Sequence, residues 1–157
     1  MLKRHFIISI LICVFLNACN SNSTNLKSQN YAEKQTVTFP TKEKVDNDFN
    51  DFLIKFSSDT SFQKSRTKFP LKINWYDIEK DKDSLIYKDV SDFEMMDFRK
   101  KKSKGQYDQW EQKILVDKDN TSAIIEIRGI ENGIMVDYLF KKIKNVWMII
   151  EIRDGST

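Results

Sequence analysis

SAIIEIRGIENGIMVDYLFKKIKNVWMIIEIR, residues 122–153, contains three apolar-rich runs separated by short polar breaks. Ala123 to Arg128, Ile134 to Lys141 and Val146 to Arg153 read as strands, and Asn132-Gly133 between the first two is a strong hairpin signal, because the favoured tight turn needs positive φ at both central residues. A second turn is expected over Lys142 to Asn145. Upstream, Trp110, Ile114 and Val116 suggest another strand, with Asp117 to Thr121 turning into the next, so the last third reads as an antiparallel meander. Alternation then sorts the side chains. Ile125, Ile127, Ile134, Val136, Tyr138, Phe140, Val146, Met148, Ile150 and Ile152 form one apolar set that should face a core, with no carboxylate among them. The opposite set mixes charges such as Glu126, Arg128, Asp137 and Arg153 with Met135, Leu139, Trp147 and Ile149. The last four predict an exposed apolar patch and a candidate interface, self-association through a homodimer included.

The residues ahead of the meander carry helical spacing. Val45, Phe49, Phe52, Leu53 and Phe56 fall on one helix face, as a buried stripe requires. Ser57-Ser58-Asp59 supplies a stop and a new N-cap, so a second short helix with Phe62 and Arg66 should run toward Lys68. Phe69, Leu71, Ile73 and Trp75 alternate as a half-buried strand would, with Pro70 forcing extended geometry on its neighbour. Asp77 to Ser84 reads as a charged turn, and Ser91 with Glu94 is a capping-box pattern that predicts a short helix through Met95, Met96 and Phe98. Helices first and strands afterwards give an α+β domain, its helices packed on one face of the sheet.

The first 18 residues have the order of a secretory signal: Lys3 and Arg4, an apolar run from Phe6 to Leu16, then Ala18 before Cys19. The run is too short for a bilayer span, which needs roughly 20 apolar residues. Leu16-Asn17-Ala18-Cys19 resembles a bacterial lipobox, which implies cleavage after Ala18 and lipidation of Cys19. Three segments are therefore expected: a signal over 1–18, a lipidated cysteine with a Ser/Asn/Thr/Lys-rich tether over 19–44, and one domain over 45–157. Removing the signal from the 157-residue chain takes away Lys3, Arg4, His5 and Cys13, leaving 24 basic against 23 acidic side chains. A charge so near balance gives no footing for nucleic acid. With neither His nor a free Cys left, a Ser-His-Asp triad, a cysteine nucleophile and a His/Cys zinc site are excluded. Four glycines, at 105, 129, 133 and 155, form no phosphate loop or dinucleotide fingerprint. No metal and no cofactor is expected.

Phe49-x-x-Phe52-Leu53-x-Lys55-Phe56 followed by Asp59-x-x-Phe62-Gln63-x-x-Arg66-x-x-Phe69-Pro70-Leu71 resembles the opening of the DUF4348 family of small Bacteroides-type lipoproteins, a domain of unknown function. The resemblance implies a cystatin-like, nuclear-transport-factor-2-like fold, with helices in the concave face of a bent antiparallel sheet, a pocket between the two layers, and dimers through the outer sheet face. In such bacteria surface export goes with acidic residues just after the lipidated cysteine. Asn20 to Asn30 holds none, so the resemblance implies an anchor on the periplasmic face, in the outer membrane.

Two residues stand out as ligand-binding candidates. Arg66, aligned with Asp59 and Gln63 on one helix side, has the donor fork for an anion at a pocket mouth; the other reading is a cap and local polar network, which a helix-start Asp favours. Tyr138 lies in the inward set and offers a hydroxyl to a pocket. Its neighbour Asp137 points to the other side and should pair with Arg128, Lys141 or Arg153. The basic run Arg99 to Lys104 reads as a solvated loop, with anionic lipid headgroups as the other reading. Asp77, Glu79, Asp81 and Asp83 lack the glycine and terminal glutamate of a calcium loop. The expectation is a non-enzymatic envelope module that binds a small ligand or a protein. The alternative is a small isomerase- or hydrolase-like enzyme using a carboxylate and Tyr, which a buried acid beside Tyr138 would favour.

Overall fold

The computed structural model describes residues 39–104 and 109–157, so the signal, Cys19 and most of the tether lie outside the described residues. A 3-10 turn over Lys44–Asn47 leads into α1 (Phe49–Phe56) and α2 (Thr60–Ser65). α2 starts where the sequence predicts, whereas α1 starts at Phe49, after the separate 3-10 turn that holds Val45. The Asp48 carboxylate accepts from Asn50 N and Asp51 N, and the Asp59 carboxylate from Phe62 N, each meeting amides that a helix start leaves unpaired. Strands β1 (Thr67–Asp77), β2 (Lys82–Lys88), β3 (Lys102–Lys104), β4 (Gln109–Val116), β5 (Ser122–Gly129), β6 (Met135–Ile143) and β7 (Val146–Asp154) form one sheet ordered β2-β1-β7-β6-β5-β4-β3.

The meander over β4 to β7 is antiparallel, but β1 lies parallel to β7, so the sheet is mixed. β2 occupies part of what reads as a charged turn and pairs antiparallel with β1 from Leu71↔Lys88 to Asp77↔Lys82. The tight two-residue turn falls at Lys144-Asn145, where both φ values are positive, rather than at Asn132-Gly133. The β5–β6 connection is longer, with positive φ at Glu131 and Gly133.

One irregularity reverses part of the alternation. The β6–β7 register passes from Leu139↔Glu151 to Phe140↔Ile149, so β7 carries one extra residue, Ile150. A bulge shifts every residue beyond it to the other face. Trp147 and Ile149 therefore point to the helices and are both 0% exposed, which removes them from the candidate interface. Met135 is exposed and Leu139 half-buried on the outer face. Around them Lys72–Glu151, Arg153–Glu151, Arg128–Glu126 and Arg128–Asp137 pair as ions, the last at 2.7 Å, as expected for Asp137. The outer face is thus a polar lattice with scattered apolar side chains.

The core sits between α1 and the middle of the sheet. Phe49 meets Trp147 at 4.9 Å and Phe140 at 5.2 Å, Phe52 and Phe56 both pack on Phe140, and Leu71, Ala123, Ile125 and Ile149 close the cluster. Each such side chain withdrawn from water contributes roughly 1.5–3 kcal/mol. Residues ahead of the expected boundary at 45 belong to the folded unit, since Thr41 O and Glu43 both contact Arg66.

Candidate ligand-binding groove

Residues Phe93–Phe98 follow a 3-10 turn at Val90–Asp92 and form neither helix nor strand, in place of the helix the Ser91/Glu94 pattern predicts. Their backbone groups are claimed from elsewhere. The buried Gln63 amide donates to Met96 O at 2.7 Å and accepts from Met96 N at 2.8 Å, while also donating to Phe56 O. Phe98 N donates to Ser57 Oγ at 3.1 Å, and Phe98 O accepts from Gln112 Nε2 at 3.1 Å. Side chains on α2, at the end of α1 and on β4 thus replace the hydrogen bonds a helix would have made. The segment becomes a strap across the end of the core.

Between this strap and the helix-facing side of the sheet lies a groove of about 490 Å³, walled by Glu94, Met95, Met96, Asp97 and Phe98 on one side and by Trp110, Gln112, Ile127, Ile134, Val136 and Tyr138 on the other. Phe98 marks where the filled core stops: it stacks on Phe56 at 6.2 Å and meets Tyr138 edge to face at 4.8 Å. Tyr138, as expected, faces inward, and its hydroxyl has no hydrogen-bond partner among the described residues. Burial pushes its pKa up, and the negative charge of Asp154 adds to the shift. Asp154 shares that side of the sheet, paired with Val136 and with Trp75. A strand carboxylate therefore does face the helix side, beyond the end of the apolar set in which none was found. Its Oδ1 accepts from Ser156 N at 3.0 Å.

The other carboxylates at the rim differ in how they are neutralised. Arg99 Nε and Nη2 hold Asp97 from 2.8 and 2.6 Å, and this fork keeps the Asp97 carboxyl down at about 2. Glu94 is largely exposed and has only Lys88 Nζ at 4.0 Å.

Arg66 is not at this groove. It is 1% exposed, its Nη2 bonding Asp46 Oδ2 at 3.2 Å and Thr41 O at 3.1 Å, with its guanidinium 4.8 Å over the Phe62 ring. Asp46, 0% exposed, also accepts from Trp147 N at 3.0 Å and Glu43 N at 2.8 Å. Arg66 thus pairs with Asp46 rather than with Asp59 or the Gln63 side chain, and the pair pins the N-terminal turn to the start of β7. Asp46 is absent from any sequence motif; an acid one residue past Val45 on an amphipathic stripe reads as solvent-facing. The two sequence-predicted ligand residues are therefore not brought together.

A second groove, of about 480 Å³, lies at the β1–β2 hairpin beside Trp75, Ile78 and Asp154. Asp77 there is bonded by Lys80 Nζ at 2.6 Å, which lowers its pKa and turns the hairpin without a metal-like arrangement. No group of three or more metal-ligating side chains occurs among the described residues, and none of their helices is long and apolar enough to cross a membrane.

The model of a family described as Domain of unknown function (DUF4348) matches residues 28–156. Among solved structures, an NTF2-like protein from Bacteroides fragilis is similar at 22% identity and a TM-score of 0.53, over 75% of this chain and 51% of that one. The chain thus spans about half the length of that protein. A cystatin-like protein from Bacteroides caccae is similar at 18% identity and a TM-score of 0.52, over 68% and 74% of the two chains. A protein from Bacteroides uniformis is similar at 21% identity and the same score, over 72% and 78%. These likenesses show the fold and no activity. No curated protein matches the sequence.

Proposed function

The chain belongs to the DUF4348 family, a domain of unknown function with the NTF2-like, cystatin-like fold, and from that premise we propose that it is a non-enzymatic binding module that takes a small ligand in the groove beside Tyr138. The observation that carries this reading is a groove of about 490 Å³, more apolar than polar, with Tyr138 among its lining residues and a wall held by dedicated side-chain bonds. That volume lies within the range of small-molecule sites, and an apolar lining with few convergent polar groups is their usual composition. In this proposal Cys19 carries the lipid that tethers the domain to the periplasmic face of the outer membrane, a reading supported by the Leu16–Cys19 motif and the lack of acids after it.

The enzymatic alternative is favoured by one observation, the Asp154 charge felt at the Tyr138 hydroxyl. A raised pKa keeps the phenol protonated, so Tyr138 suits donation of a hydrogen bond to a ligand better than abstraction of a proton. Native mass spectrometry of the full chain isolated from the cell envelope tests the binding reading. A bound small molecule is expected, absent from a Val136→Trp variant that fills the groove. An empty wild-type protein, with Tyr138 and Phe98 resonances unmoved by a fragment library, would overturn it.

A further inference from the structure

The groove's electrostatics and its rings specify a class of ligand. Its lining holds two carboxylates, Glu94 and Asp97, and no Lys or Arg among the described residues. Arg99 reaches the rim but is folded back on Asp97 through two hydrogen bonds, so it neutralises that acid and presents no free cation. Glu94 keeps nearly all of its charge available, with Lys88 4.0 Å away and both side chains well exposed. From the β7 side, Asp154 adds negative potential at the Tyr138 hydroxyl. With Asp97 held by Arg99, the negative bias of the groove comes from Glu94 at its rim and from Asp154, which lines the neighbouring groove and acts on Tyr138 from β7. Three aromatic side chains, Phe98, Trp110 and Tyr138, line the same space, and a ring face attracts a cation through its quadrupole.

We infer that the groove selects an organic cation, an ammonium or quaternary ammonium group carried on an apolar body. The rings and Glu94 receive the charged end, and Ile127, Ile134 and Val136 receive the body. The inference rests on the groove being a binding site and adds the sign of the ligand's charge. Anionic amphiphiles such as fatty acids are disfavoured, since Arg99 at the rim is already committed to Asp97.

The test titrates the full chain, followed by the Trp110 indole and Tyr138 ring resonances, with three probes of similar shape: benzyltrimethylammonium, its neutral carbon isostere neopentylbenzene, and the anion phenylacetate. The cation is expected to bind about tenfold more tightly than the neutral isostere, with phenylacetate weakest. Raising the salt concentration and Glu94→Gln should each erode that preference. Glu94 is exposed and bonded to nothing else, so its replacement leaves the fold intact. Trp110→Ala should also reduce cation binding. Equal or tighter binding of the neutral or anionic probe at the same resonances would overturn the cation inference and leave the groove as a binding site. Failure of every probe to shift either resonance would overturn the cation inference as well, while the native mass spectrum decides the binding reading separately.

Discussion

Replacing Asp46 by Ala should cost this domain a large share of its stability, although no sequence motif marks the residue. Its carboxylate is the buried partner of Arg66 Nη2 at 3.2 Å and the acceptor for Trp147 N and Glu43 N. Removing one member of a buried ion pair typically costs about 3–5 kcal/mol, because the remaining charge stays in the interior. Arg66 has few alternatives: Nε and Nη1 have no partner, Thr41 O already accepts from Nη2, and Glu43 stands 3.5 Å away at a half-exposed position. The buried Trp147 N–H, left without an acceptor, adds about 1–3 kcal/mol. A total near 4–8 kcal/mol is large against about 6–18 kcal/mol for a domain of this size. In urea, with a slope of about 2 kcal/mol per molar, the midpoint should fall by about 2–4 M. The double replacement Asp46→Leu with Arg66→Met should lose less than Asp46→Leu alone, since no charge is then stranded. A loss under about 1 kcal/mol for Asp46→Ala, or strict additivity in the double variant, would refute the assignment of this pair as the pin between the N-terminal turn and β7.

Three further outcomes follow from the same geometry. Gln63→Ala removes three bonds that hold the strap and α1, so amide exchange at Met96 and Phe98 should accelerate about tenfold or more with a stability loss of about 2–3 kcal/mol; unchanged protection would show that the strap is held by packing alone. Ile149→Ala should cost about 2–5 kcal/mol and the half-buried Ile150→Ala clearly less, as denaturant unfolding will show; equal costs would contradict the bulge. Asp97 should titrate near 2 by carboxyl NMR and return toward 3.8 in Arg99→Ala. Because its folded pKa lies below the unfolded one, the stabilisation it supplies is complete above the ordinary value of 3.8 and fades as pH falls toward about 2.

Much of the architecture is legible because local signals and tertiary packing agree. Phe49, Phe52, Leu53 and Phe56 lie on one helical stripe and all four are buried, and Asp59 caps α2 as its position predicts. Where reading fails, non-local partners decide. The Ser91/Glu94 pattern is a sound helix start, but Gln63, Ser57 and Gln112 supply hydrogen bonds from distant parts of the chain in place of helical ones. The bulge at Ile150 leaves no mark in a run as uniformly apolar as VWMII, since either face is equally hydrophobic until Trp147 finds Phe49. β2, which presents Leu85, Ile86 and Tyr87 to solvent at the sheet edge, lacks the alternation that marks a half-buried strand. The groove is legible by half: Ile127, Ile134, Val136 and Tyr138 are visible from parity, whereas Glu94 to Phe98 come from a strap whose course only the fold sets.

That division also bears on where specificity resides. At the α1 end the space between the layers is filled by rings, from Phe49 and Trp147 to Phe56 and Phe98, so no ligand enters there without unfolding the core. The open volume begins beyond Phe98, and its far wall is made by four consecutive residues, Glu94 to Asp97, of which only Met96 is fixed through its backbone. Thr60 Oγ1 donates to Met95 Sδ, and Arg99 N, Nε and Nη2 donate to Asp97, so in this wall Glu94 is the charged side chain that can change without touching a hydrogen bond. In the proposed binding role, the charge at Glu94 can therefore change while Gln63 keeps the strap in place, and the sign of the ligand would follow that position rather than the sheet.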